Sequence, residues 1–144
     1  MCSSDLETGV DFQRVLDAKP DLVTIEFVND CGLTPAQVDE VYGDLLGRVR
    51  GVGAELILIT PHFTMLRMMN FANEQGVEAR PYVLALRTFA AKNGLALADA
   101  SARWEHLWKE GLPYTTLLHN TINHPDDRGH RLFAEELWAC FEAP

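Results

Sequence analysis

Three cysteines, Cys2, Cys31 and Cys140, are all that the 144 residues carry, an odd number at no metal-ligating or redox spacing. That argues against a disulfide framework and fits reduced thiols in a cytoplasmic protein. No apolar run approaches the ~20 residues of a membrane span. The opening residues, Met1 to Leu6, have neither the basic start nor the apolar centre of a signal peptide. Basic side chains are scarce: 12 Lys and Arg stand against 21 Asp and Glu, for a formal charge of −9. That balance speaks against nucleic acid or an anionic membrane as a partner. Internal repeats and linker-like stretches are lacking too. What is present is ordinary for a globular chain, 47% hydrophobic and 23% charged residues, at a length that supports one domain with a real core. The expectation is a single domain over residues 1–144, with residues 1–9 irregular.

The chain is organised around Asp21-Leu-Val-Thr-Ile-Glu-Phe-Val-Asn-Asp30. Lys19-Pro20 ends whatever helix precedes it. Residues 22–28 are then apolar apart from Thr24 and Glu26, which predicts a strand covered on both faces. Before it, Val10 to Ala18 reads as a short helix with Phe12, Val15 and Leu16 on one side. After it, Thr34-Pro35 is a helix start, cap residue followed by first-turn proline. Val38, Val41, Leu45 and Val49 carry that helix to about Arg50, where Gly51 and Gly53 end it. Glu55 to Thr60 is a second buried strand. Residues 64–79 hold Met65, Met68, Met69 and Phe71 without a clean period and read either as a substrate wall or as a short helix packing methionines on the core. Pro81 to Asn93 is a helix closed by Gly94, residues 95–98 a third strand, and Ala102 to Glu110 a helix capped by Asp99 or Ser101. Strand and helix alternate, which predicts a three-layer α/β/α arrangement on a parallel sheet.

Polar residues gather where those strands end. Asn29 and Asp30 follow the first and His62 the second, the edge at which open α/β sheets place their ligands. Turn formation and helix capping account for Asn29 and Asp30 equally well. The stretch Leu117 to His130 then packs His119, His124 and His130 ahead of a final helix. Asp126 and Asp127 suit that helix's positive end, and Ala134, Leu137 and Phe141 are its expected buried face, with Phe133 and Cys140 beside it. His124 precedes Pro125, so it is held extended outside the helix, and a histidine shown from a loop is a candidate general base. His130, inside the helix, reads as structural.

These two stretches resemble a known family. Asp21 to Asp30 is similar to the third conserved block of the SGNH, or GDSL-type, hydrolases, and Ile122-Asn-His-Pro-Asp-Asp-Arg-Gly-His130 to the fifth. The resemblance spans roughly residues 10–142. It implies a flavodoxin-like sheet and serine-esterase or acyl-hydrolase chemistry on a small-molecule ester, with no cofactor and no metal. It implies that Asn29 donates to the oxyanion and His124 is the base, with Asp30, His62 and Asn123 disposed to meet substrate. The blocks that hold the family's nucleophilic serine and oxyanion glycine find no counterpart; Ser3-Ser4-Asp5-Leu6 has the wrong residue order. Val28 stands where the family usually has glycine, and Thr121 where it often has the aspartate that orients the base. The fold is therefore expected to be incomplete at the N-terminus, feeble on esters by itself, and prone to homo-oligomerise through an exposed sheet edge.

Two other classes of function compete with that reading. One is a cysteine-dependent hydrolase using Cys31, two residues beyond Asn29, since a thiol is intrinsically nucleophilic. The other is a non-catalytic domain that binds a ligand, or a metal through His62, His119, His124 and Asp30, whose spacing matches no metal motif.

Overall fold

The computed structural model describes residues 10–69 and 77–141, without the side chains of Val10, Asp11 and Asn29. In chain order the elements are α1 (Val10–Asp17), β1 (Leu22–Ile25), a 3-10 turn (Val28–Gly32), α2 (Pro35–Gly51), β2 (Glu55–Ile59), α3 (Leu66–Met69), α4 (Pro81–Asn93), β3 (Ala96–Ala98), α5 (Ala100–Lys109), a second 3-10 turn (Tyr114–Leu117) and α6 (Asp127–Ala139). Among these residues the strands form one sheet in the order β1-β2-β3. Both pairings are parallel, Leu22 opposite Glu55 and Ile57 opposite Ala96. Parallel neighbours need long crossovers, and α2 and α4 supply them.

Local chemistry explains where the helices start and stop. Thr34 Oγ1 accepts from the Gln37 N–H while the Gln37 side chain accepts from the Thr34 N–H, a reciprocal cap that satisfies two otherwise unpaired donors, and Pro35 follows. Gly94 closes α4 at φ 63°, in the left-handed region that suits glycine. Asp126 caps α6 by accepting from the N–H groups of Arg128 and Gly129.

Helices cover both faces of the sheet. On one, Val23, Ile25, Leu56 and Leu58 pack against Val38, Tyr42, Leu45 and Val49 of α2, Leu86 and Phe89 of α4, and Leu16 of α1. On the other, α6 lies against β3 and α5. A second apolar cluster joins Phe63 and Met69, just past β2, to Trp104 of α5 and to Tyr114, Leu117 and Leu118.

The structure corrects several expectations. β1 stops at Ile25, three residues early. The Phe27 carbonyl accepts from the Asp30 N–H and the Tyr82 hydroxyl instead of continuing a ladder, and the chain turns into the 3-10 segment. β1 is buried on one face: Val23 and Ile25 are inside, Thr24 is exposed, because α6 covers β3, two places away in the sheet. In α6 the inward side runs through Gly129, Leu132, Phe133, Glu136, Leu137 and Cys140, while Ala134, Phe141 and His130 are exposed; the helix is rotated from the expected phase. Asp99, not Ser101, caps α5. In the methionine-rich stretch α3 forms, with Met69 buried and Met68 exposed. Phe71 and Gly76 there, and Ser3, Ser4 and Cys2 at the start, lie outside the described residues.

Candidate active site

Three segments meet at the carboxyl edge of the sheet: the turn after β1, the loop 60–65 after β2, and the loop 118–126. Between them lies a cavity of about 370 Å³, lined by Val28, Cys31, Gly32, Thr64, Met68, Arg80 and Asn123. The turn carrying Asn29 and the loop carrying His124 therefore face one space. This is where a parallel α/β sheet leaves room for a ligand, because the strands' carboxyl ends open into loops instead of further sheet.

The loop 118–126 is built by backbone hydrogen bonds. The His119 N–H donates to the His124 carbonyl at 2.7 Å and the Asp126 N–H to the Leu117 carbonyl at 2.8 Å, closing a small antiparallel bridge. Inside it the Asn120 side-chain oxygen accepts three N–H groups, from Ile122 (3.0 Å), Asn123 (2.9 Å) and His124 (3.0 Å). Those three hydrogen bonds hold Thr121 at φ 57°, a left-handed conformation that strains a β-branched residue by about 1–3 kcal/mol. Thr121 Oγ1 donates back to the Asn120 carbonyl at 2.7 Å. Asp126 is occupied by α6 and by its ion pair with Arg128 at 2.6 Å. The backbone N–H groups of α6 and the Arg128 guanidinium hold its carboxyl below the usual range. His124 stands exposed on the loop, and among the described residues no side chain hydrogen-bonds its ring.

Two bonds tie this loop to the exit of β2. The Met65 N–H donates to the Ile122 carbonyl at 2.7 Å, and His62 Nε2 lies 2.9 Å from the Asn123 carbonyl. A carbonyl can only accept, so Nε2 carries the proton. His62 is 4% exposed, between Trp104 at 5.3 Å and Phe133 at 5.6 Å between ring centres. Burial lowers its pKa to about 4, helped by the positive charge of Arg80 and by His130 and His124, against the opposing bond to Asn123. It is a neutral ring near pH 7, and its Nδ1 has no hydrogen-bond partner among the described residues.

Beneath the cavity sits a buried ion pair that the sequence reading did not single out. Arg80 and Glu78 meet at 2.6 Å with side chains 7% and 0% exposed. Arg80 also donates to the carbonyls of His62 and Pro61, both at 3.1 Å, and the Ser101 hydroxyl donates to Glu78. Burial pushes the Glu78 carboxyl up, but the bonds and charge of Arg80 and the Ser101 hydroxyl outweigh that and leave it below the ordinary value. The signal was an acid two residues before an arginine, at the end of the methionine-rich stretch.

The other expected site residues fall as follows. Asn123 lines the cavity. Asp30 is 2% exposed, and neither it nor His62 is among the lining residues. Asn29 lies in the turn, its side chain outside the described residues. The Phe27 carbonyl before that turn is held by the Tyr82 hydroxyl at 3.1 Å, so the Tyr42 hydroxyl, 2.5 Å from Tyr82, donates to it. Burial, with Tyr42 second, pushes the Tyr82 pKa up. Cys31 is an exposed free thiol. Asp99 is spent on structure, accepting from Thr60 Oγ1 at 2.8 Å and pairing with Arg87 at 2.8 Å. Among the described residues no group of three or more His, Cys, Asp and Glu is placed to hold a metal ion, and no helix is long and apolar enough to cross a membrane.

A parallel sheet covered by helices on both faces, with a cavity at the strands' carboxyl edge that Asn123 lines but His124 does not, defines the class of three-layer α/β folds. The chain belongs to the GDSL-like lipase/acylhydrolase family, whose sequence model matches residues 2–132. No curated protein matches it. Among solved structures it is similar to the acetyl xylan esterase AlAXEase, at 22% identity and a TM-score of 0.74, over 94% of this chain and 73% of that one. It is similar to the acetylxylan esterase Axe2 of Geobacillus stearothermophilus, at 19% identity and a TM-score of 0.73, over 97% and 67%. It also matches LAE5, an alpha/beta hydrolase from the metagenome of Lake Arreo, at 20% identity and a TM-score of 0.73, over 96% and 67%. At these identities the likeness is one of fold.

Proposed function

We propose that the cavity at the carboxyl edge is an acyl-ester hydrolysis site in which His124 is the general base and Asn29 a donor to the oxyanion. The observation that carries this is the meeting of the 28–32 turn and the 118–126 loop on one cavity. In the reaction His124 takes the proton of an attacking hydroxyl, whose oxygen bonds to the acyl carbon. The carbonyl oxygen becomes negative and is met by Asn29. The bond to the alcohol then breaks, and the alcohol leaves with the proton from His124. Asn123, on the cavity wall, touches the substrate, while Asp30 and His62, both buried, act from behind the wall. A cavity of about 370 Å³ suits a small acyl group, and the acetyl-ester enzymes among the similar folds point the same way.

The nucleophile falls to a group other than Ser101, which is fully buried with its hydroxyl bonded to Glu78. With water as the attacking group, the 1–144 chain hydrolyses p-nitrophenyl acetate slowly, and His124→Ala brings the rate to that of buffer. An unchanged rate in His124→Ala refutes the base. Robust turnover blocked by a serine-reactive phosphonate places a serine nucleophile in the chain after all.

A second reading has one observation in its favour: the exposed Cys31 thiol lines the same cavity as Asn123. If Cys31 is the nucleophile, iodoacetamide abolishes the hydrolysis and the phosphonate leaves it intact. The two described thiols are unpaired, which supports a reducing, cytoplasmic setting. Among the described residues β1 pairs with β2 alone, which supports self-association through that edge and is read by sedimentation of the chain over a concentration series.

A further inference from the structure

We propose that His62 is the positioning residue for His124, holding through its Nε2–H the peptide group from which His124 is carried. This rests on the reading of His124 as the base. The Asn123 carbonyl and the His124 N–H belong to one amide, and each is gripped from a different side. His62 Nε2 holds the carbonyl at 2.9 Å and Asn120 Oδ1 holds the N–H at 3.0 Å. With both ends of its dipole engaged, the plane of that amide is fixed, and so is the direction in which the His124 side chain leaves the backbone.

His62 is equipped to hold rather than to react. Its ring is buried between Trp104 and Phe133, so it has one orientation to offer. Its own backbone is anchored in turn: the His62 carbonyl accepts from Arg80 Nη1 at 3.1 Å and the Pro61 carbonyl from Nη2 at 3.1 Å, with Glu78 pairing the guanidinium. An unbroken set of contacts thus runs from the buried ion pair through the exit of β2 to the base. The Met65 N–H bond to the Ile122 carbonyl is a second tie to the same loop, so loss of His62 loosens the loop without releasing it.

The test reads loop order directly and needs no turnover. In the wild-type chain, imidazole nitrogen spectra at neutral pH should show His62 as the Nε2–H tautomer, with Nδ1 bare; an Nδ1–H tautomer overturns the proposal. His62→Phe keeps the ring packing and removes the donor. It should speed hydrogen exchange at the His119 and His124 amides about tenfold, the equivalent of one lost hydrogen bond, while amides of β2 exchange as before. His62→Gln, whose amide can still donate to Asn123, should restore most of the protection. Unchanged exchange at His119 and His124 in His62→Phe, or His62→Gln no better protected than His62→Phe, overturns it. Failure of the base reading is a separate result: His124→Ala that hydrolyses esters at the original rate removes the base and leaves the exchange data standing.

Discussion

Acidification should destabilise this protein through His62 before its carboxylates account for the loss. Unfolded, the ring takes up a proton at its ordinary value of 6.5; in the fold burial lowers that to about 4. Between those values the unfolded state binds the extra proton, so stability is full above pH 6.5 and falls as pH drops toward 4. The drop from 6.5 to about 4, at about 1.4 kcal/mol per pKa unit, comes to about 3–4 kcal/mol in full, most of it realised by pH 4. The ring is 4% exposed, so little of this is screened. Total stability of a domain is about 5–15 kcal/mol, so the effect is a sizeable share. Glu78, held below its ordinary value, also loses stability as pH falls, but it is common to wild type and variant and cancels in their difference. The assay is urea unfolding across this window for wild type and His62→Gln. At neutral pH the variant should be the less stable, having lost packing, and the gap should close by about 3 kcal/mol toward pH 4. Stability curves that stay parallel across the window would show that His62 is hydrated or already charged in the fold, and the buried-neutral-ring argument would fail.

Other substitutions probe neighbouring parts of the same edge. A Cβ on Gly129 would stand 2.8 Å from the Pro125 ring and 3.0 Å from the Leu117 carbonyl; Gly129→Ala should destabilise by about 1–3 kcal/mol in chemical denaturation, and an unchanged midpoint would mean the α6 start is loose. Glu78→Ala strands the buried Arg80 charge and should cost about 3–5 kcal/mol, less in the Glu78→Ala/Arg80→Met double variant, by the same measurement; equal costs would refute the pairing. Thr34→Ala removes the cap of α2 and should cost about 1 kcal/mol, read as a lower thermal midpoint. Thr121→Asp places a residue more tolerant of left-handed φ at that position and should leave slow ester hydrolysis unchanged or raised; a tenfold loss would show that the threonine itself contributes.

Much of the framework was legible because it is written in local chemistry. Thr34-Pro35 marks the start of α2 by chemistry within a few residues, Pro81 and Gly94 bracket α4, and the parallel alternation of strands and helices follows from their order. The Asn29 turn and the His124 loop were also recognisable as short stretches, and parallel connectivity alone sends the ends of β1 and β2 to one edge. What tertiary structure decided was everything set by partners far along the chain. β1 ends at Ile25 because Tyr82, 55 positions on, takes the Phe27 carbonyl. Thr24 is exposed and α6 is turned off its expected phase because coverage of a strand depends on which helix reaches it, and no residue pattern records that. His62, Arg80 and Glu78 look like surface chemistry in a linear reading. They are buried because each finds its partner across the fold, His62 at the Asn123 carbonyl 61 positions away and Arg80 at the carbonyl of His62 18 positions back. A polar side chain's burial is decided by whether its hydrogen bonds can be met inside, and only the folded chain brings those partners together.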